Sequence, residues 1–113
     1  MPKEIGRSCL TPLIGIRGGV AGDFTVTKLN DEHFFIVGSG MAERYHIRFF
    51  EMIDRPNTVS FQSLTEEMCG FNVAGPKSRT LLSKMTQEDV SNENWKFMRS
   101  RSKTRAAIDA IGI

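Results

Sequence analysis

Residues 18–29 read GGVAGDFTVTKL, and this stretch decides the fold. Three glycines in its first five residues predict a turn, because glycine adopts the backbone conformations that tight turns require. Phe24 and Val26 then alternate with threonines, and this period of two predicts a half-buried strand over residues 23–29. The turn therefore places Asp23 at the start of a strand.

Two further strands are predicted on either side of this one. Residues 8–14 (SCLTPLI) form the first, with Pro12 at an edge or a bulge because proline has no N–H for the ladder. Residues 34–37 (FFIV) form a third, fully buried strand. It makes a β-hairpin with the second strand through a turn at residues 30–32.

After the hairpin, the spacing of apolar residues changes to that of a helix over residues 41–53. The predicted buried face of this helix consists of Met41, Tyr45, Phe49, Met52 and Ile53. A second helix is predicted to begin at Pro76, since proline is favoured at the first helical position. Its buried face would consist of Leu81, Leu82 and Met85.

Between the two helices, alternating residues predict two more strands, at 58–64 and around 69–73. Val59, Phe61, Cys69, Phe71 and Val73 would point inward. The order strand, hairpin, helix, strand, strand, helix predicts an α+β fold. We expect a mainly antiparallel sheet with two helices packed on it.

The composition is that of a soluble globular domain or of part of one. The chain has 113 residues, of which 40% are apolar and 25% charged. No segment approaches the ~20 apolar residues that span a bilayer, and the N-terminus lacks the apolar run of a secretory signal. These features give no support to a membrane role. They predict a cytoplasmic protein, or one of the mitochondrial matrix in a eukaryote.

The basic residues are concentrated near the end of the chain. The net charge is +2, and without Arg99, Arg101, Lys103 and Arg105 it would be −2. We therefore predict one domain over residues 1–98 and a basic, flexible tail over residues 99–113. Such a tail attracts phosphate, but it has no aromatic residue for base stacking. Nucleic-acid binding is therefore less favoured than a solvated tail.

The cysteines and histidines do not form a site. Cys9 and Cys69 lie far apart in apolar stretches, which predicts buried thiols rather than a disulfide or a catalytic cysteine. His33 and His46 have no companion at metal-ligand spacing, so no metal site is predicted.

Three segments in series resemble one protein family. They are LTPL at residues 10–13 with GGVAGDFTV at 18–26, FFIVGSGMAERYH at 34–46, and VAGPKSR at 73–79 followed by LL at 81–82 and EDVSNE at 88–93. Their order and spacing are similar to the folate-binding domain of the glycine-cleavage T-protein (aminomethyltransferase) family. Gly38-Ser39-Gly40 and the DVSN stretch most resemble its dimethylglycine and sarcosine dehydrogenase branch.

The resemblance implies part of an aminomethyltransferase-like domain that binds tetrahydrofolate. Such domains take up a methylene or methyl group from an N-methyl amine such as dimethylglycine or sarcosine. In the dehydrogenase branch, a separate flavin domain oxidises the amine. The expected partners are therefore folate and a flavin-dependent dehydrogenase domain or chain, with FAD held outside this chain.

The resemblance also implies the site residues. The family's working carboxylate follows Gly-Gly-x-x-x, and Asp23 matches that position. A fixed carboxylate there can orient the folate amine and share its proton, so Asp23 is the expected catalytic residue. Leu10, Gly38, Ser39 and Gly40 are expected to join Asp23 in binding folate. An alternative for Gly38-Ser39-Gly40 is a strand-to-helix connection with Ser39 as the N-cap.

Two positions depart from the family pattern. Leu10 stands where many relatives have a tyrosine that packs on the folate, which removes a stacking surface and a hydrogen bond. Gly22 stands where many have the first acid of an acidic pair. Because the resemblance covers residues 6–98 of a far longer domain, we expect a fragment with little or no activity alone. The alternative is a non-catalytic binding or assembly module whose exposed sheet edges favour self-association.

Overall fold

The computed structural model describes residues 1–53, 56–105 and 108–113. Its elements are β1 (Ser8–Ile14), β2 (Val20–Lys28), β3 (Phe34–Val37), a 3-10 helix (Gly40–Ala42), α1 (Glu43–Met52), α2 (Ser78–Met85), β4 (Arg101–Arg105) and β5 (Ile108–Gly112). One sheet has the strand order β1-β2-β3, and β4 and β5 form a second. The described residues therefore confirm an α+β fold. None of their helices is both long and apolar enough to cross a membrane.

Short turns link the first three strands, so neighbours run antiparallel. Between β1 and β2, the Gly15 N–H donates to the Gly19 carbonyl at 2.8 Å. Between β2 and β3, Asn30 Oδ1 accepts the N–H groups of Glu32 and His33 at 2.9 Å each, a turn built by one side chain. The predicted bounds of β1 and β3 are confirmed, whereas β2 begins three residues earlier than predicted.

The chain divides into two compact units. Unit 1 comprises Met1–Cys9, Val26–Phe35 and Phe71–Ile113. Unit 2 comprises Leu10–Thr25 and Ile36–Gly70. Each strand of the three-stranded sheet contributes residues to both units.

Buried hydroxyls lie at the centre of unit 1. Val26 is buried, as its alternation predicts, but Thr27 on the opposite side of the strand is buried too. The Ser8 and Thr27 hydroxyls lie 2.7 Å apart and satisfy each other, which is why two polar groups can be enclosed here.

The end of unit 1 is a hairpin. β4 and β5 pair antiparallel, with Arg101 opposite Gly112 and Arg105 opposite Ile108. This hairpin lies in the segment predicted to be a flexible tail. Its flexibility and the domain boundary at residue 98 stay predictions. The side chains at 102–109, including Lys103 and Arg105, lie outside the described part, so their attraction to nucleic acid is also untested.

Several contacts attach this end of the chain to the rest of unit 1. The Ser100 N–H donates to the Gly6 carbonyl at 2.8 Å, and Arg99 forms a 2.6 Å ion pair with Glu4. The Trp95 indole N–H donates to the Arg99 carbonyl at 2.9 Å. The first two of these contacts join residues that lie far apart in the sequence.

In unit 2, α1 packs on β2 through aromatic rings. Phe24 is 6% exposed, and its ring centroid lies 4.7 Å from that of His46 and 5.7 Å from that of Phe50. Phe50 stacks in turn on Phe61, with centroids 4.9 Å apart. The inward orientation predicted for Phe24 is therefore confirmed.

The face of α1 that packs is not the predicted one. Met41 and Met52 are 102% and 77% exposed, and Tyr45 and Ile53 are also exposed. The buried residue of α1 is His46. The helix is rotated so that His46 and Phe50, four residues apart and hence on one side, meet Phe24.

Two predicted strands between the helices are wrong. Residues 58–64 and 69–73 form turns and irregular structure, and the side chains predicted to point inward from them are exposed: Val59, Phe61, Cys69, Phe71 and Val73. Alternation indicates a strand only where a neighbouring strand takes up its backbone hydrogen bonds.

Three predictions about burial also need correction. β3 is not fully buried, because Phe34 and Val37 are exposed at its ends. α2 begins at Ser78 rather than Pro76, and Leu81 and Met85 of its predicted buried face are exposed. Cys9 is half-buried.

Candidate functional site

The turn before β2 fixes where Asp23 lies. Gly18 has φ of 77°, a conformation that favours glycine, and its N–H donates to the Gly15 carbonyl at 2.9 Å. This tight turn lets β2 begin at Val20. Asp23 is therefore the fourth residue of a strand rather than its first, and this strand is the middle one of its sheet.

Asp23 itself is exposed. Successive side chains of a strand point to opposite faces, so the buried Phe24 ring lies on one face and the Asp23 carboxylate on the other. Among the described residues, no hydrogen-bond or ion-pair partner of this carboxylate is found. Asp23 is an available carboxylate on a rigid strand.

Leu10 lies on the same face as Asp23. Ser8 and Thr27 share a face because their hydroxyls meet, and alternation places Leu10 with Ser8 on β1 and Asp23 with Thr27 on β2. Leu10 is 69% exposed. The structure therefore brings an apolar side chain and a carboxylate to one open face of the sheet.

Gly38 lies beside the strand segment that carries Asp23. A Cβ on Gly38 would stand 3.9 Å from the Asp23 carbonyl oxygen and only 2.7 Å from the Phe24 ring. This close approach requires glycine, and it brings the first residue of Gly38-Ser39-Gly40 to β2.

Ser39 and Gly40 continue from there into the 3-10 helix. Ser39 occupies the N-cap position, where its carbonyl accepts the Ala42 N–H at 3.1 Å. Its side chain makes no capping hydrogen bond. The connection predicted as the alternative is therefore present, and it leaves the exposed Ser39 hydroxyl uncommitted to the helix.

His46 is the residue that sequence reasoning missed. It stands among charged residues and is not part of the predicted buried face of the helix, yet it is 6% exposed. Its Nε2 lies 3.3 Å from the Ala21 carbonyl, on the opposite side of β2 from the Asp23 carboxylate. The signal that could have found it is the pair Gly22 and Gly38, which leaves space beside Phe24.

Two grooves lie in unit 1, and neither is lined by a residue of the predicted site. One, of about 250 Å³, is lined by Ile5, Gly6, Asn94, Lys96, Arg99, Ser100 and Arg101. The other, of about 340 Å³, is lined by Met1, Pro2, Lys3, Glu4, Arg7, Cys9 and Arg99. The predicted site therefore lies outside both of these grooves, on a face where Leu10 and Asp23 are exposed.

Comparisons with known proteins bear on this arrangement. A family model described as the GCVT N-terminal domain matches residues 1–112. The chain is 29% identical over 104 residues to mitochondrial dimethylglycine dehydrogenase from Mus musculus, covering 90% of this chain and 12% of that protein. It is 29% identical over 112 residues to mitochondrial aminomethyltransferase from Dictyostelium discoideum, covering 94% and 27% respectively.

A bacterial oxidase is similar to the same degree. The chain is 28% identical over 98 residues to 4-methylaminobutanoate oxidase (formaldehyde-forming) from Paenarthrobacter nicotinovorans, covering 87% of this chain and 12% of that protein. The chain thus spans between 12% and 27% of the length of these curated relatives.

Proposed function

Because this chain belongs to the GCVT N-terminal domain family, we propose that it supplies part of the folate site of a one-carbon transfer enzyme. The observation that carries the proposal is the open face that bears Asp23. A carboxylate that is exposed, held on a strand and without a partner among the described residues can serve a ligand. Leu10 on the same face adds apolar surface for a flat ring.

The residues present fit a reduced folate. Tetrahydrofolate would supply the nucleophilic nitrogen that receives the one-carbon unit. The Asp23 carboxylate would accept a hydrogen bond from a folate N–H, orient that nitrogen and share its proton. The exposed backbone of Gly38-Ser39-Gly40 would bind polar edges of the ring. Leu10 would contact the ring face, although more weakly than an aromatic side chain.

The donor in this proposal is an N-methyl amine. Dimethylglycine dehydrogenase and 4-methylaminobutanoate oxidase are named for such amines, and both resemble this chain over most of its length. A flavin-dependent domain or chain with FAD would oxidise the amine, and this chain would help to bind the folate that accepts the carbon. The matrix of mitochondria would be its location in a eukaryote.

Calorimetric titration of the chain with tetrahydrofolate tests the proposal. Asp23→Asn should weaken binding about tenfold or more, since hydrogen bonds to charged groups contribute about 1.5–3 kcal/mol. Glu51→Gln is the matched control, because Glu51 is an exposed carboxylate on α1 of the same unit, and it should bind like the parent chain. Leu10→Tyr should strengthen binding a few-fold by adding a stacking surface.

The outcomes separate the two parts of the proposal. Absence of heat with the parent chain and with Leu10→Tyr would refute folate binding. Equal affinity of the parent chain and Asp23→Asn would leave folate binding intact but remove Asp23 from the binding role.

Self-association is the second candidate, and the exposed apolar residues favour it. Ile16, Met41, Phe71 and Phe97 are between 86% and 104% exposed. Association with another chain would remove such apolar side chains from water. Sedimentation should show the mean mass rising with concentration, and a monomer at every concentration would argue against this role.

A further inference from the structure

His46 is a buried polar side chain that the proposed folate site does not use. It lies on α1 with its ring 4.7 Å from that of Phe24 and 5.8 Å from that of Tyr45. Burying an imidazole costs free energy unless its polar atoms are hydrogen-bonded. Burial of the His46 ring therefore requires a hydrogen-bond partner for its nitrogen atoms.

That partner is the backbone of β2. His46 Nε2 lies 3.3 Å from the Ala21 carbonyl oxygen, and because a carbonyl can only accept, Nε2 carries the hydrogen and donates it. Ala21 is two residues before Asp23, and Phe24 is the residue after it. One imidazole therefore contacts the strand on both sides of Asp23, from the face opposite the carboxylate.

The strand leaves room for this ring at one position. A Cβ on Gly22 would lie 2.8 Å from His46 Nε2 and 2.9 Å from Phe24 Cζ, closer than such atoms approach. Any side chain at residue 22 would push the imidazole away from the Ala21 carbonyl. Gly22, Phe24 and His46 thus form one packed cluster on the face of β2 opposite the Asp23 carboxylate.

We propose that His46 is a positioning residue for Asp23, an inference that rests on the proposed folate-binding function. By bonding to Ala21 and packing on Phe24, it fixes the backbone between them and so the direction in which the Asp23 carboxylate points. Displacement of a carboxylate by even a fraction of an ångström weakens a directional hydrogen bond to a ligand.

The test combines two substitutions at His46 with the Asp23 variant. His46→Gln keeps an N–H donor at the same reach, whereas His46→Leu fills the space without a donor. Tetrahydrofolate titration should show near-parent affinity for His46→Gln and about fivefold weaker binding for His46→Leu, the loss expected for one neutral hydrogen bond. In the Asp23→Asn background, His46→Leu should have no further effect, because its influence passes through Asp23.

Gly22→Ala provides a second route if His46→Leu does not fold. It presses on the imidazole from the strand and should weaken folate binding in the parent chain but not beside Asp23→Asn. Parent-like affinity of the folded His46→Leu or Gly22→Ala chain would overturn the inference. So would equal losses in the parent and Asp23→Asn backgrounds, which would indicate a general structural role. Failure of the parent chain to bind folate would instead overturn the proposed function, and the inference with it.

Discussion

Phe24 occupies a slot that two glycines make for it. A Cβ on Gly38 would lie 2.7 Å from Phe24 Cδ1 and 2.8 Å from Cε1, and these are atoms of a ring that the slot holds in place. We expect Gly38→Ala to lower the free energy of unfolding by about 1–3 kcal/mol, the usual cost of overpacking. Urea denaturation measures this change.

Gly40→Ala is the matched control for that substitution. Gly40 is two residues further on, and nothing lies within 4 Å of a Cβ built there. Its unfolding midpoint should stay within experimental error of the parent chain or rise slightly. Equal destabilisation by both substitutions would mean that the Phe24 slot is not the cause.

The residues of the site differ in how far sequence could predict them. The alternation of β2 is local, so it correctly separates Phe24 from the exposed Asp23. The assignment of Asp23 depends instead on family resemblance, since spacing alone cannot distinguish it from an ordinary turn aspartate. His46 was not predictable from its own neighbours, because its burial depends on space left by glycines outside its own helix.

At the scale of elements, the start of α1 is tied to the loop that follows it. Glu43 accepts hydrogen bonds from the hydroxyls of Ser63 and Thr65, the latter at 2.8 Å. Both hydrogen bonds hold the pKa of Glu43 below its ordinary value of 4.5, and the bond from Ser63 has the larger effect. A carboxyl with a lowered pKa stabilises the folded state above its unfolded pKa, and that contribution is lost as the pH falls through the folded value.

We therefore expect the hydrogen bonds that hold residues 63–65 to α1 to weaken as the pH falls through the folded pKa of Glu43, which lies below 4.5. An NMR titration of the Glu43 carboxyl should give a pKa under 4.5, and Ser63→Ala combined with Thr65→Ala should return it toward 4.5. An unchanged Glu43 pKa in the double variant would show that the hydroxyls do not cause the shift.

The same loop shows why the strand predicted at residues 58–64 was wrong. Phe61 stacks on Phe50, but the segment does not pair as a strand of a sheet. An aromatic contact and hydrogen bonds to a carboxylate on α1 hold this segment, and neither leaves a periodic signal. β1 and β3 were predictable because each pairs with a strand adjacent in sequence.

At the scale of the whole molecule, the last residues are connected to the first ones. Removing residues 99–113 would delete the Ser100–Gly6 hydrogen bond and the Arg99–Glu4 ion pair, and would expose Trp95 beside the lost Gly112. We expect the free energy of unfolding to fall by at least about 1 kcal/mol, since one net hydrogen bond contributes that much. Thermal or urea unfolding of the shortened chain measures it.

A single substitution tests whether residues 99–113 stabilise the fold without shortening the chain. Gly112→Ala would place a Cβ 2.5 Å from the Trp95 ring, so it should also destabilise. If both variants unfold like the parent chain, residues 99–113 behave as the solvated tail that their charge alone predicts.

The turns at residues 15–19 and 29–33 have a consequence for how the chain acquires its site. Both close very short loops, so the sheet forms by contacts between neighbours in sequence, which are the fastest to form. Leu10, Asp23 and Gly38-Ser39-Gly40 all lie within residues 10–40, and α1 follows at once. During synthesis on the ribosome, the polypeptide can therefore assemble the strands that carry Asp23 and the helix that packs on them before the segments that follow α1 have folded.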